Sequence, residues 1–150
     1  IMVNASMVFG LDSDGPDTFR RTLDWLVAQR VETLTSHILT PYPGTELHRR
    51  MMADGRITDH ALANYNTAHV VYEPVGMSAE QLYGGYLWMY RQFYSLRNII
   101  RRYPQYKGQR KAYLLFNPRY RKYGRPTAAL ARVIPRQARG QRAPGQSYRA

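Results

Sequence analysis

Two short stretches hold residue types whose spacing could do chemistry. The first is Gly10-Leu11-Asp12-Ser13-Asp14-Gly15-Pro16, where two carboxylates stand two residues apart. Asp12 and Asp14 could bind a metal or accept hydrogen bonds from a ribose. The favoured reading is that Asp14, close to Pro16, caps a following helix and complements its dipole, and the roles are compatible. The second stretch is Thr40-Pro41-Tyr42-Pro43-Gly44-Thr45. Two prolines and a glycine around a tyrosine make a stiff corner. It is either a rigid strand exit with Thr45 capping a helix, or a loop that holds Tyr42 at a pocket. His69, after Asn-Tyr-Asn-Thr-Ala, could donate a proton or a hydrogen bond near neutral pH, or sit satisfied at a packing surface. The four histidines (His37, His48, His60 and His69) show no i, i+4 pairing, and the chain has no cysteine. No protein-built metal site is therefore expected. Disulfides, a cysteine nucleophile and thiolate cluster ligands from this chain are excluded.

The elements that must position these corners follow from periodicity. Residues 1–11 are short, apolar and interrupted by small residues, as a buried strand would be. Helical spacing appears at Phe19, Leu23, Leu26 and Val27 and ends near Arg30, and a second strand is expected over 31–39. A short helix from about Glu46 to Ala53 follows the Pro/Gly corner, with Gly55 suited to its C-terminal cap. The two corners are separated by the roughly 30 residues of a strand–helix–strand unit. Parallel strands would bring both to one C-terminal edge, where open α/β sheets and β/α barrels bind ligands.

Further on, "GRITDHALANYNTAHVVYEP" predicts a short helical turn and an extended stretch ending at Pro74. Ser78 with Gln81 forms a capping box, and Met77 with Leu82 the accompanying staple. Leu82, Tyr86, Met89, Phe93, Leu96 and Ile100 predict one long helix that Pro104 ends. Gly84 and Gly85 inside it point to a close neighbour or a kink. Its stripe reads as core-facing, with Tyr83, Tyr86, Tyr90 and Tyr94 alongside. "KAYLLFNPRYRKYGRP" has an apolar nucleus, Ala112 to Phe116, within basic flanks. Disorder is expected over most of 136–150.

The chain has 150 residues, enough for one domain with a core, and its net charge of +12 is unevenly placed. Residues 1–55 carry five arginines against seven acids, 56–105 five against three, and 106–150 twelve Lys/Arg with no acid. The last segment reads as a diffuse, solvated basic tail. The opening at Ile1 reads as the interior of a longer chain. No signal peptide is visible, no apolar run approaches the ~20 residues a bilayer requires, and the lack of cysteine fits a cytoplasmic protein.

Four blocks in series, "MVFGLDSDGPDTFRRTLDWL", "ILTPYPGTELHRRM…GRI", "NYNTAHVVYEPVGMSAEQL" and "WMYRQFYS", resemble the C-terminal portion of radical S-adenosylmethionine enzymes of the cobalamin-binding class. The resemblance implies an α/β fold: the last strand–helix units of a partial (β/α)6 barrel over 1–55, a helical extension over 56–105, and the basic tail over 106–150. It implies S-adenosylmethionine and a [4Fe–4S] cluster in the parent protein, and cobalamin in a preceding domain. The cluster's cysteine loop is absent from this chain. It places Val8, Phe9, Gly10, Asp14, Thr40, Pro41 and Tyr42 beside S-adenosylmethionine and substrate; it names no catalytic residue, and His69 is a candidate on its own chemistry alone. The reaction implied is methylation or rearrangement of an unactivated carbon, on a lipid, porphyrin-like ring or other small molecule, with the N-terminal remainder of the protein as partner. The competing expectation is non-enzymatic: a small basic α/β module whose tail binds nucleic acid or an anionic membrane surface. No helix-turn-helix, finger or RNP pattern supports specific nucleic-acid recognition.

Overall fold

The computed structural model describes residues 2–130. Strand β1 (Asn4–Phe9) leads through helix α1 (Thr18–Ala28) to strand β2 (Thr33–Ile38), and then come α2 (Glu46–Ala53), a single 3-10 turn (Leu62–Asn64), α3 (Ala79–Phe93), α4 (Leu96–Arg101) and α5 (Lys107–Leu130). The described residues thus form a mixed α/β structure with a two-stranded sheet and five α-helices. The strands are parallel, in register from Asn4 opposite Thr33 to Phe9 opposite Ile38. Parallel strands need a crossover, and α1 supplies it. Its stripe Phe19, Leu23, Leu26 and Val27 is buried, with the Phe19 ring 4.8 Å from that of Phe9. Helix α1 ends at Ala28, and two residues on, Arg30, with a φ of 53°, lets the Val31 N–H reach back to the Leu26 carbonyl at 3.0 Å.

The strand expected over 1–11 as wholly buried is covered on one face only. Ala5, Met7 and Phe9 turn inward, and Asn4, Ser6 and Val8 are exposed. In β2, Leu34, Ser36 and Ile38 are buried on the same side. The capping box of Ser78 and Gln81 is present. Gly85 has the close neighbour that its place in the helix suggests, for a Cβ there would run into the Phe19 ring, whereas Gly84 faces open space. The single helix expected to Ile100 is two. Ser95 breaks it: its hydroxyl donates to the Gln92 carbonyl at 2.8 Å and caps α4 by accepting the Asn98 N–H at 3.4 Å. A serine that bonds to nearby backbone offers the chain an alternative to continuing the helix.

The solvated tail expected from residue 106 is corrected over 107–130, which is helical and anchored. Tyr113 and Asn117 of α5 are fully buried. The Tyr113 hydroxyl donates to Ile99 O at 2.7 Å, and Asn117 Nδ2 donates to Glu32 O at 3.1 Å. Between them lies Arg102, fully buried beside α4, its guanidinium 3.6 Å from the Phe93 ring centroid. It donates to Val31 O (2.6 Å), Glu32 O (3.0 Å), Phe93 O (2.7 Å) and Asn117 Oδ1 (3.4 Å). Burial lowers its pKa from the ordinary arginine value. The disorder expected beyond about 136 lies outside the described residues.

The outer edge of β2 is closed by side chains. The Tyr94 hydroxyl accepts the Leu34 N–H at 3.0 Å and donates to the Leu34 carbonyl at 2.9 Å. The Tyr90 hydroxyl does the same for Ser36, at 3.0 and 3.2 Å. The Ile38 N–H donates to Thr67 O at 2.7 Å. The outer edge of β1 has no strand beside it among the described residues.

Tyr94→Phe should therefore strip two buried backbone groups of their partner and lower stability by about 1–3 kcal/mol. Burial pushes the Tyr94, Tyr72 and Tyr86 phenols above the ordinary 10.0. Above pH 10 the unfolded phenols lose protons that the folded ones keep, so stability should fall as pH rises past 10. Melting curves from pH 8 to 11 check both effects, with a shallower alkaline loss in Tyr94→Phe than in the parent sequence.

Candidate functional site

The face of the sheet that the helices leave open is polar. Asn4, Ser6 and Val8 of β1 lie opposite Thr33, Thr35 and His37 of β2. Asn4 Nδ2 donates to Thr35 Oγ1 at 3.2 Å, and the Thr35 hydroxyl returns a bond to Asn4 Oδ1 at 3.4 Å. At the C-terminal end of this face His37 Nδ1 meets Thr67 Oγ1 at 3.0 Å. Thr67 has a left-handed backbone, φ 63°, and it is also the residue whose carbonyl holds the Ile38 N–H. That conformation is costly for a β-branched residue and marks a locally over-determined position. With Nδ1 tied to Thr67, the half-buried imidazole is held in place on this face. Hydroxyls, an amide and an imidazole on a half-exposed surface suit a polar, nucleoside-like molecule better than an apolar one.

Both corners lie at the C-terminal edge of the strands, as parallel pairing requires. In the first, Gly10 has φ +97°, and a Cβ there would strike the Tyr72 hydroxyl and Leu82. Tyr72 donates to the Gly10 carbonyl at 2.5 Å. Asp14 Oδ2 accepts the N–H groups of Gly10 and Leu11 at 2.9 and 3.0 Å. Asp14 therefore closes the loop onto itself, and the cap of α1 is Asp17, which makes no side-chain capping bond. Asp12 Oδ1 accepts from Arg56 at 2.8 Å, and Arg56 also donates to Glu73 O at 2.9 Å. That pair joins the first corner to the extended stretch around Tyr72. Among the described residues no group of three His, Asp or Glu side chains is placed to hold a metal ion.

In the second corner Thr40 and Pro41 are buried, and Thr40 Oγ1 donates to Ile38 O at 3.1 Å. Tyr42 is 46 % exposed, and its carbonyl accepts the Thr45 hydroxyl at 2.7 Å. Thr45 caps α2 by accepting the His48 N–H at 3.2 Å. The rigid-exit and pocket-wall expectations are compatible, because the buried Thr40-Pro41 pair fixes the exit and leaves the Tyr42 ring outside.

Of the expected site residues, Val8, Gly10, Thr40, Pro41 and Tyr42 gather around this edge, and Asp14 supports it. Phe9 is 1 % exposed and packs on Phe19, so it belongs to the core. His69 is only partly buried, and its Nδ1 lies 2.8 Å from Asn66 Oδ1 in the loop that carries Thr67. Sequence reasoning passed over Ser6, Thr33, Thr35, His37 and Thr67. The alternation in Thr33-Leu34-Thr35-Ser36-His37-Ile38 was the available signal, since a period of two separates one face from the other.

Gly10→Ala should destabilise the chain by about 2 kcal/mol or more, through its positive φ and the collision with Tyr72 and Leu82. Tyr72→Phe should relieve little of that, because Leu82 remains. Urea denaturation of the two single variants and the double variant checks this.

Comparison with known proteins gives two findings. Bacteriochlorophyllide d C-12(1)-methyltransferase of Chlorobaculum tepidum is 28 % identical over 102 residues, covering 68 % of this chain. The chain spans 22 % of that protein's length. The family described as "Domain of unknown function (DUF4070)" matches residues 45–140. Together the two matches support a radical S-adenosylmethionine C-terminal portion. The family match takes in α2, α3, α4 and α5, more than half of the chain, and the protein belongs to the DUF4070 family.

Proposed function

We propose that this chain forms the closing β–α–β unit and helical cap of a radical S-adenosylmethionine methyltransferase, and that its open sheet face lines the cofactor and substrate cavity. The observation that carries the reading is the asymmetry of the sheet, taken with the methyltransferase match. The outer edge of β2 is sealed by Tyr90, Tyr94 and Thr67, and the outer edge of β1 is free among the described residues to take a further parallel strand. A partial (β/α)6 barrel would end in such a strand, with its helices outside and its polar face inside.

The donor set fits S-adenosylmethionine. Ser6, Thr33, Thr35 and His37 would meet its ribose and amino-acid groups, and the Gly10 and Thr40–Tyr42 corners would wall it in. When bound, the cofactor supplies a methyl group or a 5′-deoxyadenosyl radical. The chain itself binds, orients and excludes water. A [4Fe–4S] cluster does not fit here, because the chain has no cysteine to ligate it. On this reading other parts of the protein hold the cluster and cobalamin. The substrate class proposed is a ring-bearing small molecule that accepts a methyl group, as the relative's name describes for that protein.

The test uses the whole protein encoded by the reading frame. Under reducing, anaerobic conditions it should release 5′-deoxyadenosine from S-adenosylmethionine. His37→Ala and Thr35→Val should each lower kcat/KM about tenfold, the loss of one hydrogen bond to a bound group. A whole protein that binds S-adenosylmethionine at no measurable level would overturn the reading. So would unchanged kinetics in both variants.

A further inference from the structure

The charge of this chain changes sign partway along it. None of its ten acids lies beyond Glu80, and sixteen of its 22 lysines and arginines do. Within that cationic stretch α5 buries Tyr113 and Asn117 and carries Leu114, Leu115 and Phe116 outside, 52 %, 51 % and 45 % exposed. Lys111 and Arg119, both exposed, stand one turn before and one turn after Leu115, at the i, i+4 spacing that makes helix neighbours. Lys107 and Arg121 extend the same basic flanks. Helix α4 repeats the combination, with Leu96 and Ile100 in water at 57 % and 72 % beside the exposed Arg97 and Arg101. Among the described residues no helix is long and apolar enough to cross a membrane.

We infer that the outer surfaces of α4 and α5 dock on an anionic membrane surface. Leu114, Leu115, Phe116 and Ile100 enter the boundary between headgroups and acyl chains, and the flanking lysines and arginines meet lipid phosphates. Two alternatives fit the side chains less well. Tyr106 and Tyr120 are exposed here too, at 76 % and 44 %, and rings of that kind serve a membrane interface as well as a nucleic-acid base, but single-stranded nucleic acid gains little from the exposed leucines and isoleucine. A second copy of the chain would set one acid-free surface against another, and like charge opposes that contact. Such docking sets where the protein sits, whatever reaction it serves.

The experiment is co-sedimentation of the full chain with vesicles of phosphatidylcholine alone and of equal parts phosphatidylcholine and phosphatidylglycerol. Binding is expected to the mixed vesicles only. The double variant L114S/L115S should weaken it about tenfold or more, and K111Q/R119Q by a similar factor. Leu62→Ser, at an exposed leucine outside these helices, should change nothing. Circular dichroism checks helicity. Should L114S/L115S lose it, Ile100→Ser on the separate α4 carries the test, with a several-fold loss expected. Full binding by L114S/L115S would overturn the proposal, since charge alone would then suffice. Equal binding to both vesicle types, or to neither, would overturn it too. Binding of an oligoribonucleotide without vesicle binding would mark the surface as a nucleic-acid interface instead. A concentration-dependent dimer that L114S/L115S dissolves, without vesicle binding, would mark it as a self-association face.

Discussion

The constraint that organises this structure is the outer edge of β2, a row of backbone donors and acceptors that cannot be left both buried and unpaired. A neighbouring strand would satisfy them in an ordinary sheet. Here the work falls to side chains and one loop: Tyr94 on Leu34, Tyr90 on Ser36, and Thr67 on Ile38. Arg102 extends the same closure to the carbonyls of Val31 and Glu32 at the start of the strand. Each of these partners has to be carried there by something rigid. That requirement sets α3 across the covered face, breaks the following helix at Ser95, and brings α5 back to seat Asn117 on Glu32. The helical region is thus tied to the strand pair by side-chain hydrogen bonds to the strand backbone as well as by packing.

Closing that edge with hydroxyls and a guanidinium has a consequence for the open face. Alternation along the strands sends Leu34, Ser36 and Ile38 to the helices, and Thr33, Thr35 and His37 the other way. The helices and the sealed edge hold the buried set rigidly, so the polar set faces outward on a fixed frame. The left-handed Thr67 serves both sides of this division. Its carbonyl ends the edge pairing, and its hydroxyl fixes the His37 ring. A side chain preorganised by the same loop that closes the sheet can bind a ligand without first being ordered itself.

Much of the scaffold was legible because it is written in local rules. The helix over Phe19 to Val27, the capping box at Ser78, the Thr45 cap and the shared edge of the two corners all follow from spacing and turn chemistry. What escaped depends on contacts distant in sequence. Tyr90 and Tyr94 read as ordinary members of a core-facing helix, because a hydroxyl that pairs with a strand some 54 to 60 residues away leaves no periodic trace. Helix α5 was hidden by composition. Gly108 and Pro118 lie within it, and a proline in a helix interior removes a hydrogen bond and costs ~3 kcal/mol. The fully buried Tyr113 and Asn117 anchor the turn just before that proline, so tertiary contact overrides local propensity there.

Among the described residues, Arg102 and the exposed arginines beyond Glu80 show how one composition can serve two purposes. Arg102 is enclosed, and backbone carbonyls together with the Phe93 ring take the place of water around its two Nη atoms, while its buried Nε has no hydrogen-bond partner. Replacing it would leave several buried carbonyls without a donor, so its role is set by the fold. Arg97, Arg101, Arg119 and Arg121 are exposed, and nothing in the packing of the described chain requires their charge. Exposed cations of one sign, with no acid after Glu80 to offset them, raise the potential of one region and oppose compaction. The proposed docking on an anionic membrane would give those charges a role that stability does not. It would also give one to the apolar side chains set among them, since a membrane has an apolar layer beneath its charge.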